Sequence, residues 1–350
     1  MSLAPASHAL RRPSLADIAR VTGFSRMTVS YALRQHPKIS APTRRRVLAA
    51  AREIGYVANP EVSRLMQLLR SRRLASYQST LAFLSFHDSP KPISHRYTRD
   101  VIAGAKARAA ELGFSADVFN LARLEIPAAR LTTVLRSRGI RGILIPPLPD
   151  FLDCAPMLDW SQFSVIAATY SARNLLVNRT VPHHQLNVLR ALTELRKLGC
   201  RRAGLIVTGD LLHRANYAYH ASLALRQQLG EFAPIPPFSP EAVVGPNFER
   251  EFRRWMRQHR PDVLLTVESV VARLIRLLGS RYPQGTGLCM LDHNGTSEMA
   301  GIDQHAALVG AAALDLLAGQ LQRAEIGLNP HPRVTMVEGT WVSGNSLRSG

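Results

Sequence analysis

Arg26, Met27, Ser30 and Tyr31 are the residues of this chain whose types and spacing most clearly suggest a chemistry. They fall at i, i+1, i+4 and i+5, so on a helix they share one side over about a turn and a half. A guanidinium can pair bidentately with guanine, and a thioether offers apolar contact to a thymine methyl; the four together make a base-reading set. Ser14, Thr28, Ser40, Thr43 and Arg44, the last continuing into Arg45-Arg46, are suited to phosphate oxygens, which fix register but carry no sequence information. The alternative is an ordinary three-helix bundle whose arginines are merely solvated.

Three short elements must position these groups. Ser14-Leu15-Ala16-Asp17 is a capping box that starts a helix running to about Val21, with Leu15, Ile18 and Ala19 on one face. Gly23 is free to take positive φ and break the pattern. Ser25 caps a second helix, Arg26 to about Leu33, with Val29, Ala32 and Leu33 turned inward. Ser40 and Pro42 open a third helix, which Gly55 ends, with an apolar stripe of Val47, Leu48, Ala51 and Ile54. Two short helices joined by a glycine-containing turn predict a helix-turn-helix whose second helix enters a major groove.

Charge agrees with this reading. The formal net charge is +19 over 350 residues. Residues 1–73 hold 14 Lys/Arg against three acids, and the remainder holds 30 against 22, so a fifth of the chain carries +11 of the +19. Such asymmetry predicts a nucleic-acid-binding head on a larger body, the alternative being a basic surface without a partner. The N-terminus shows no secretory h-region, and no run of 18 apolar residues predicts a membrane span, so the expectation is a cytoplasmic, nucleoid-associated protein with no membrane partner. Cys154, Cys200 and Cys289 have no metal or disulfide spacing and are expected to be buried thiols. The chain contains no G-x-S-x-G, P-loop, H-E-x-x-H or post-strand G-x-G-x-x-G, and His183-His184 has no obvious metal partners; no enzyme, cofactor or metal is expected.

From Leu81 to Leu347 short apolar runs alternate with amphipathic helices. Runs such as LAFLSF, GILIPPL, SVIAATY, AGLIVTG, DVLLTV and GLCML read as strands. The pattern predicts parallel sheets covered by helices, in two successive α/β subdomains with a ligand cleft between them. Polar residues at the C-terminal ends of strands are the effector candidates: His87, Asp88, Tyr170, Glu268 and Asp292. For each, the alternative is a solvated polar residue on a surface loop.

The stretch SLADIARVTGFSRMTVSYALRQHPKISAPTRRRVLAAAREIGYVANP resembles the DNA-binding head of the LacI/GalR family of bacterial repressors over about 50 residues, including its D-I-A run, G-F-S turn, T-V-S and closing I-G-Y. The resemblance implies a hinge that becomes helical on the operator and lies in the minor groove. Its matching residues are Val62, Leu65 and Met66, with Leu65 wedged between base pairs; the alternative for Leu65 is packing in a helix continuing to Leu69. At Tyr31 many family members carry arginine, and the connector 67–79 is longer than usual. The resemblance extends more weakly into the body, implying an effector domain like periplasmic sugar-binding proteins. There Asp292 matches an aspartate that often binds a ligand hydroxyl, and Glu268 stands where a polar pocket residue is usual. The family arginine that commonly holds a sugar falls near Tyr217 or Tyr219, so this chain carries tyrosine where the usual sugar contact is made.

The expected organisation is a flexible leader 1–12, a helix-turn-helix domain 13–58, a hinge and linker 59–79, and an effector-binding and dimerisation body 80–347. The expected fold is a small all-α helix-turn-helix head plus a periplasmic-binding-protein-like α/β body of two doubly wound parallel-sheet subdomains. Expected partners are pseudo-palindromic operator DNA, a small-molecule effector such as a sugar, and a second copy forming a homodimer. A DNA-binding regulator without effector control and a solute-binding protein are the competing readings.

Overall fold

The structure, a computed structural model, describes residues 13–33, 39–56, 79–86, 96–121, 127–149, 151–207, 209–240, 246–293 and 298–347. The expected hinge residues Val62, Leu65 and Met66, and the candidates His87 and Asp88, lie outside the described residues. The chain divides into two compact units, 1–78 with 322–325, and 79–321 with 326–350.

The first unit holds α1 (Leu15–Thr22), α2 (Arg26–Leu33) and α3 (Ala41–Glu53). Gly23 takes φ 73°, and its N–H closes α1 on the Ala19 carbonyl at 2.9 Å, which turns the chain into α2. Ile18, Val29, Ala32, Val47, Ala50 and Ala51 are buried together at the centre. The stripe of α3 thus runs through Ala50, while Leu48 is only partly buried and does not join that cluster. Three short helices can approach closely only where small side chains meet, so alanine replaces leucine at the contact.

The second unit is built on two sheets. The first contains β1 (Thr80–Ser85), β2 (Ser115–Asn120), β3 (Gly142–Ile145), β4 (Ser164–Ala167) and β5 (Asn178–Pro182). Its helices are α4 (Arg96–Glu111) and α5 (Ala128–Ser137). The second begins after α6 (His184–Lys197) with β6 (Ala203–Leu205), α7 (Gly209–Arg214), α8 (Ala218–Gln228), α9 (Pro246–His259) and β7 (Val263–Thr266). It continues through α10 (Glu268–Leu278), β8 (Gly287–His293) and β9 (Gly301–Asp303). The chain then returns by α11 (Ala306–Arg323) and β10 (Val334–Val337) to the first sheet, and crosses once more to place β11 (Thr340–Val342) in the second.

The first sheet has the order β10-β5-β4-β3-β1-β2 and is parallel throughout. The second has the order β11-β9-β8-β7-β6, and β11 pairs antiparallel with β9 through Gly301–Val342 and Asp303–Thr340. The parallel sheets thus carry one antiparallel strand, at an edge. Only two residues separate β10 from β11, and so short a link cannot make the long crossover a parallel return requires. Two cores sandwich the first sheet: Leu81, Phe83 and Val101 with Val309 and Leu314 of α11 on one face, and Leu131, Leu135, Trp160 and Phe163 on the other. The second subdomain has its own core around Leu264, Phe252, Leu274 and Leu288. Where α4 crosses α11, Gly104 faces the Ala307 carbonyl and Gly310 faces the Val101 carbonyl so closely that a Cβ at either would collide with backbone.

Candidate functional sites: a capped helix and a cleft between two sheets

In the first unit, α2 is held at its start by Ser25, whose Oγ accepts the Thr28 N–H at 3.1 Å and lies 2.9 Å from the Thr28 hydroxyl. That cap leaves Arg26 and Met27 exposed on the first turn, Met27 by 64%, with Ser30 and Tyr31 half-buried behind them. An exposed methionine beside an exposed arginine gains nothing from the fold and is suited to contact a surface having both apolar and polar edges. Ser40 caps α3 in the same way, accepting from Thr43 N–H at 3.4 Å with its Oγ 2.8 Å from the Thr43 hydroxyl. Ser14 donates its backbone N–H and hydroxyl to Asp17 at 2.9 and 2.7 Å. Arg44 is folded back, half-buried, and donates to the Ile39 carbonyl at 3.3 Å. Arg45 and Arg46 are exposed, and the Arg46 guanidinium lies 5.3 Å from the centre of the Phe24 ring. The side chains chosen from sequence for phosphates are thus largely those that cap these helices, and the outward charge sits on Arg45 and Arg46.

In the second unit, a cleft of about 480 Å³ opens between the two sheets. One wall is α4, contributing Arg96, Tyr97 and Asp100; the other contains Glu268, Asp292 and Asp303, with Gln304 and His305 leading into α11. Asp292, at the C-terminal end of β8, accepts the Glu268 N–H at 2.8 Å. Burial raises its carboxyl to about 7, and the Glu268 charge adds to this against the hydrogen bonds it accepts. Behind this wall, Gln304 Nε2 donates to the Leu291 carbonyl at 2.5 Å and to the Tyr219 hydroxyl at 3.3 Å. Tyr219 in turn lies 3.4 Å from His184 Nδ1, its ring edge-on to the imidazole at 5.5 Å. Burial, with neighbouring His183, lowers His184 to about 4, so the imidazole is neutral and can accept from Tyr219. The Tyr97 hydroxyl is buried and finds no hydrogen-bond partner among the described residues.

The structure therefore brings Glu268 and Asp292 into one cleft and seats Tyr219 behind it, fully buried. Tyr217 is 51% exposed, with its hydroxyl 2.9 Å from His213 Nδ1, and neither it nor Tyr170 lines the cleft. A strand-end position says nothing about which way the following chain bends. Arg96, Tyr97, Asp100, Asp303, Gln304 and His305 were not among the sequence candidates. Asp303 is the last residue of the strand GID, and Gln304-His305 follow it directly, so the strand-end rule applied to that run would have found them. On the opposite side, Arg214 of α7 donates to the Leu148 carbonyl at 2.7 Å and to the Pro149 carbonyl, tying the second subdomain to the end of β3.

Residues 14–59 match the family described as bacterial regulatory proteins, lacI family. The HTH-type transcriptional regulator CelR of Thermobifida fusca is 30% identical over 149 residues, 41% of this chain and 41% of CelR, so the match spans well under two thirds of that protein. By fold, the chain is similar to the CelR–cellobiose complex, with TM-score 0.59 at 19% identity over 96% of this chain and 100% of that one. It is similar also to a lac repressor dimer bound to operator and the anti-inducer ONPF, with TM-score 0.58 at 18% identity over 97% of this chain and 100% of the other.

Proposed function

We propose that this chain, whose head belongs to the bacterial lacI family of regulatory proteins, is a sequence-specific transcriptional repressor controlled by a small carbohydrate bound in the cleft between the two sheets of the body. The carrying observation is the exposed pair Arg26-Met27 at the capped start of α2, in a head matching that family over residues 14–59. In this reading α2 lies in a major groove, with Arg26, Met27, Ser30 and Tyr31 toward base edges and Arg45 and Arg46 toward phosphates. Two copies related by a two-fold axis read a pseudo-palindrome, and Leu65, between Val62 and Met66, wedges into the minor groove. The protein works in the cytoplasm, on the nucleoid.

Effector control is a population shift. A ligand bridging the walls formed by α4 and by Asp292 and Glu268 favours one degree of closure, and closure sets the spacing of the two hinges on DNA. The similarity to a cellobiose complex and the hydrogen-bonding side chains of Tyr97, Gln304 and Asp292, suited to sugar hydroxyls, support a sugar. In selection from a random duplex pool, full-length protein should enrich one pseudo-palindrome, with affinity falling steeply as salt rises. Uniform, salt-erased binding to all duplexes would refute the regulator reading. A panel of neutral and amine-bearing sugars should then change affinity for the enriched site; if none does, effector control is lost from the proposal while DNA recognition stands.

A further inference from the structure

Among the described residues, the lining of the cleft is opposite in charge to the molecule that carries it. The whole chain is +19, yet the described lining has Asp100, Glu268, Asp292 and Asp303 against one arginine, Arg96. Arg96 Nε sits 3.6 Å from Asp100 Oδ2, so its charge is directed at its own wall. His305 stands 3.5 Å from Asp303 and donates its backbone N–H to the same side chain at 2.8 Å. The carboxylates come from both walls and converge on one cavity, where low-dielectric sides concentrate their field. Beside them the half-buried Tyr97 lines the cleft, and its hydroxyl finds no hydrogen-bond partner among the described residues, an arrangement that costs free energy unless something entering the cleft bonds to it.

We propose that the cleft selects a hydroxylated ligand bearing a positive charge, a protonated amine on a sugar-like ring, over its neutral and anionic counterparts, with Asp292 and Asp100 as the specificity-determining carboxylates. This rests on the cleft being the effector site. The amine lies between the two walls and the ring hydroxyls reach Tyr97 and Gln304. A phosphate or carboxylate on the same ring meets carboxylates on both sides and is excluded. Such a ligand also restores part of the favourable surroundings that Asp292 lost on leaving water, so binding lowers its carboxyl toward the ordinary range.

The test is calorimetric titration of the full-length protein with matched pyranoses: glucosamine, glucose and glucuronate, and galactosamine, galactose and galacturonate. The amine form of at least one ring should bind about tenfold tighter than its neutral form, the effect of one hydrogen bond to a charged group, and neither uronate should bind. Asp292→Asn should bring the amine and neutral forms of that ring to within about twofold of each other. Asp100→Asn, on the opposite wall, serves as the second variant, and should shrink the preference even if Asp292→Asn fails to fold. A neutral sugar or uronate binding as tightly as the amine overturns the proposal, as does binding by none of the six in protein that still enriches its DNA site. Loss of DNA enrichment with the amine preference intact would strike the regulator reading and leave the ligand class standing.

Discussion

Asp292→Asn should make the body more stable at neutral pH and leave it unchanged in acid. The Asp292 carboxyl, ordinarily near 4, is raised to about 7 by burial. Between those values the folded chain holds a proton that the unfolded chain has released, so stability falls as pH rises from about 4 to about 7 and is flat above. At about 1.4 kcal/mol per tenfold change in acidity, the ionised group costs at most about 4 kcal/mol. The side chain is partly open to the cleft, and water there reduces the cost to about 1–2 kcal/mol. Asparagine keeps the acceptor for the Glu268 N–H and carries no charge, so it removes the cost without removing the bond. Trp160, Trp255 and Trp341 all lie in the body and none in the head, so their fluorescence follows this unit during urea unfolding. The urea midpoint of the variant should exceed that of the parent at pH 8, and the gap should close by pH 4.5. An equal or lower midpoint at pH 8, or a gap independent of pH, refutes the reasoning. A gain at this position would mean that the carboxylate is kept at the expense of stability, as expected of a group that serves binding.

His184 acts in the opposite direction. Its value falls from 6.5 to about 4 in the fold, so stability present above about 6.5 is lost as pH drops toward 4, and His184→Gln should flatten the acid limb of the same urea-midpoint profile. Gly310→Ala drives a methyl into the Val101 carbonyl; overpacking of about 1–3 kcal/mol exceeds the gain in helix propensity of about 1 kcal/mol, so the thermal midpoint should fall. Arg26→Ala should cost about 1–3 kcal/mol on the selected duplex and relax preference at one base position, while Arg45→Ala should weaken all duplexes alike, as read by fluorescence anisotropy. Arg214→Ala removes the tie to the Leu148 and Pro149 carbonyls, and the body should open, with a larger radius of gyration in solution scattering.

The head was legible because its information is local. Ser14 with Asp17, Gly23, Ser25 and Ser40 start and stop helices through bonds spanning three or four residues, and a pattern of that length is written in consecutive letters. The alternation of strands and helices in the body was legible for the same reason. Packing decided what lies between distant segments. Arg44 reads from sequence as an outward cation, and packing half-buries it with one N–H on the Ile39 carbonyl. Tyr217 and Tyr219 are two letters apart, yet the left-handed backbone at Tyr217, φ 61°, leads into α8 with one ring in solvent and the other in the core. Asp100 and Asp303 meet across a cleft only because the chain crosses between sheets before and after α11. Periodicity along a chain records which face of an element is buried. Which faces from remote parts of the chain then enclose the same water is a property of three-dimensional packing, and it alone places four carboxylates around one cavity in a strongly basic protein.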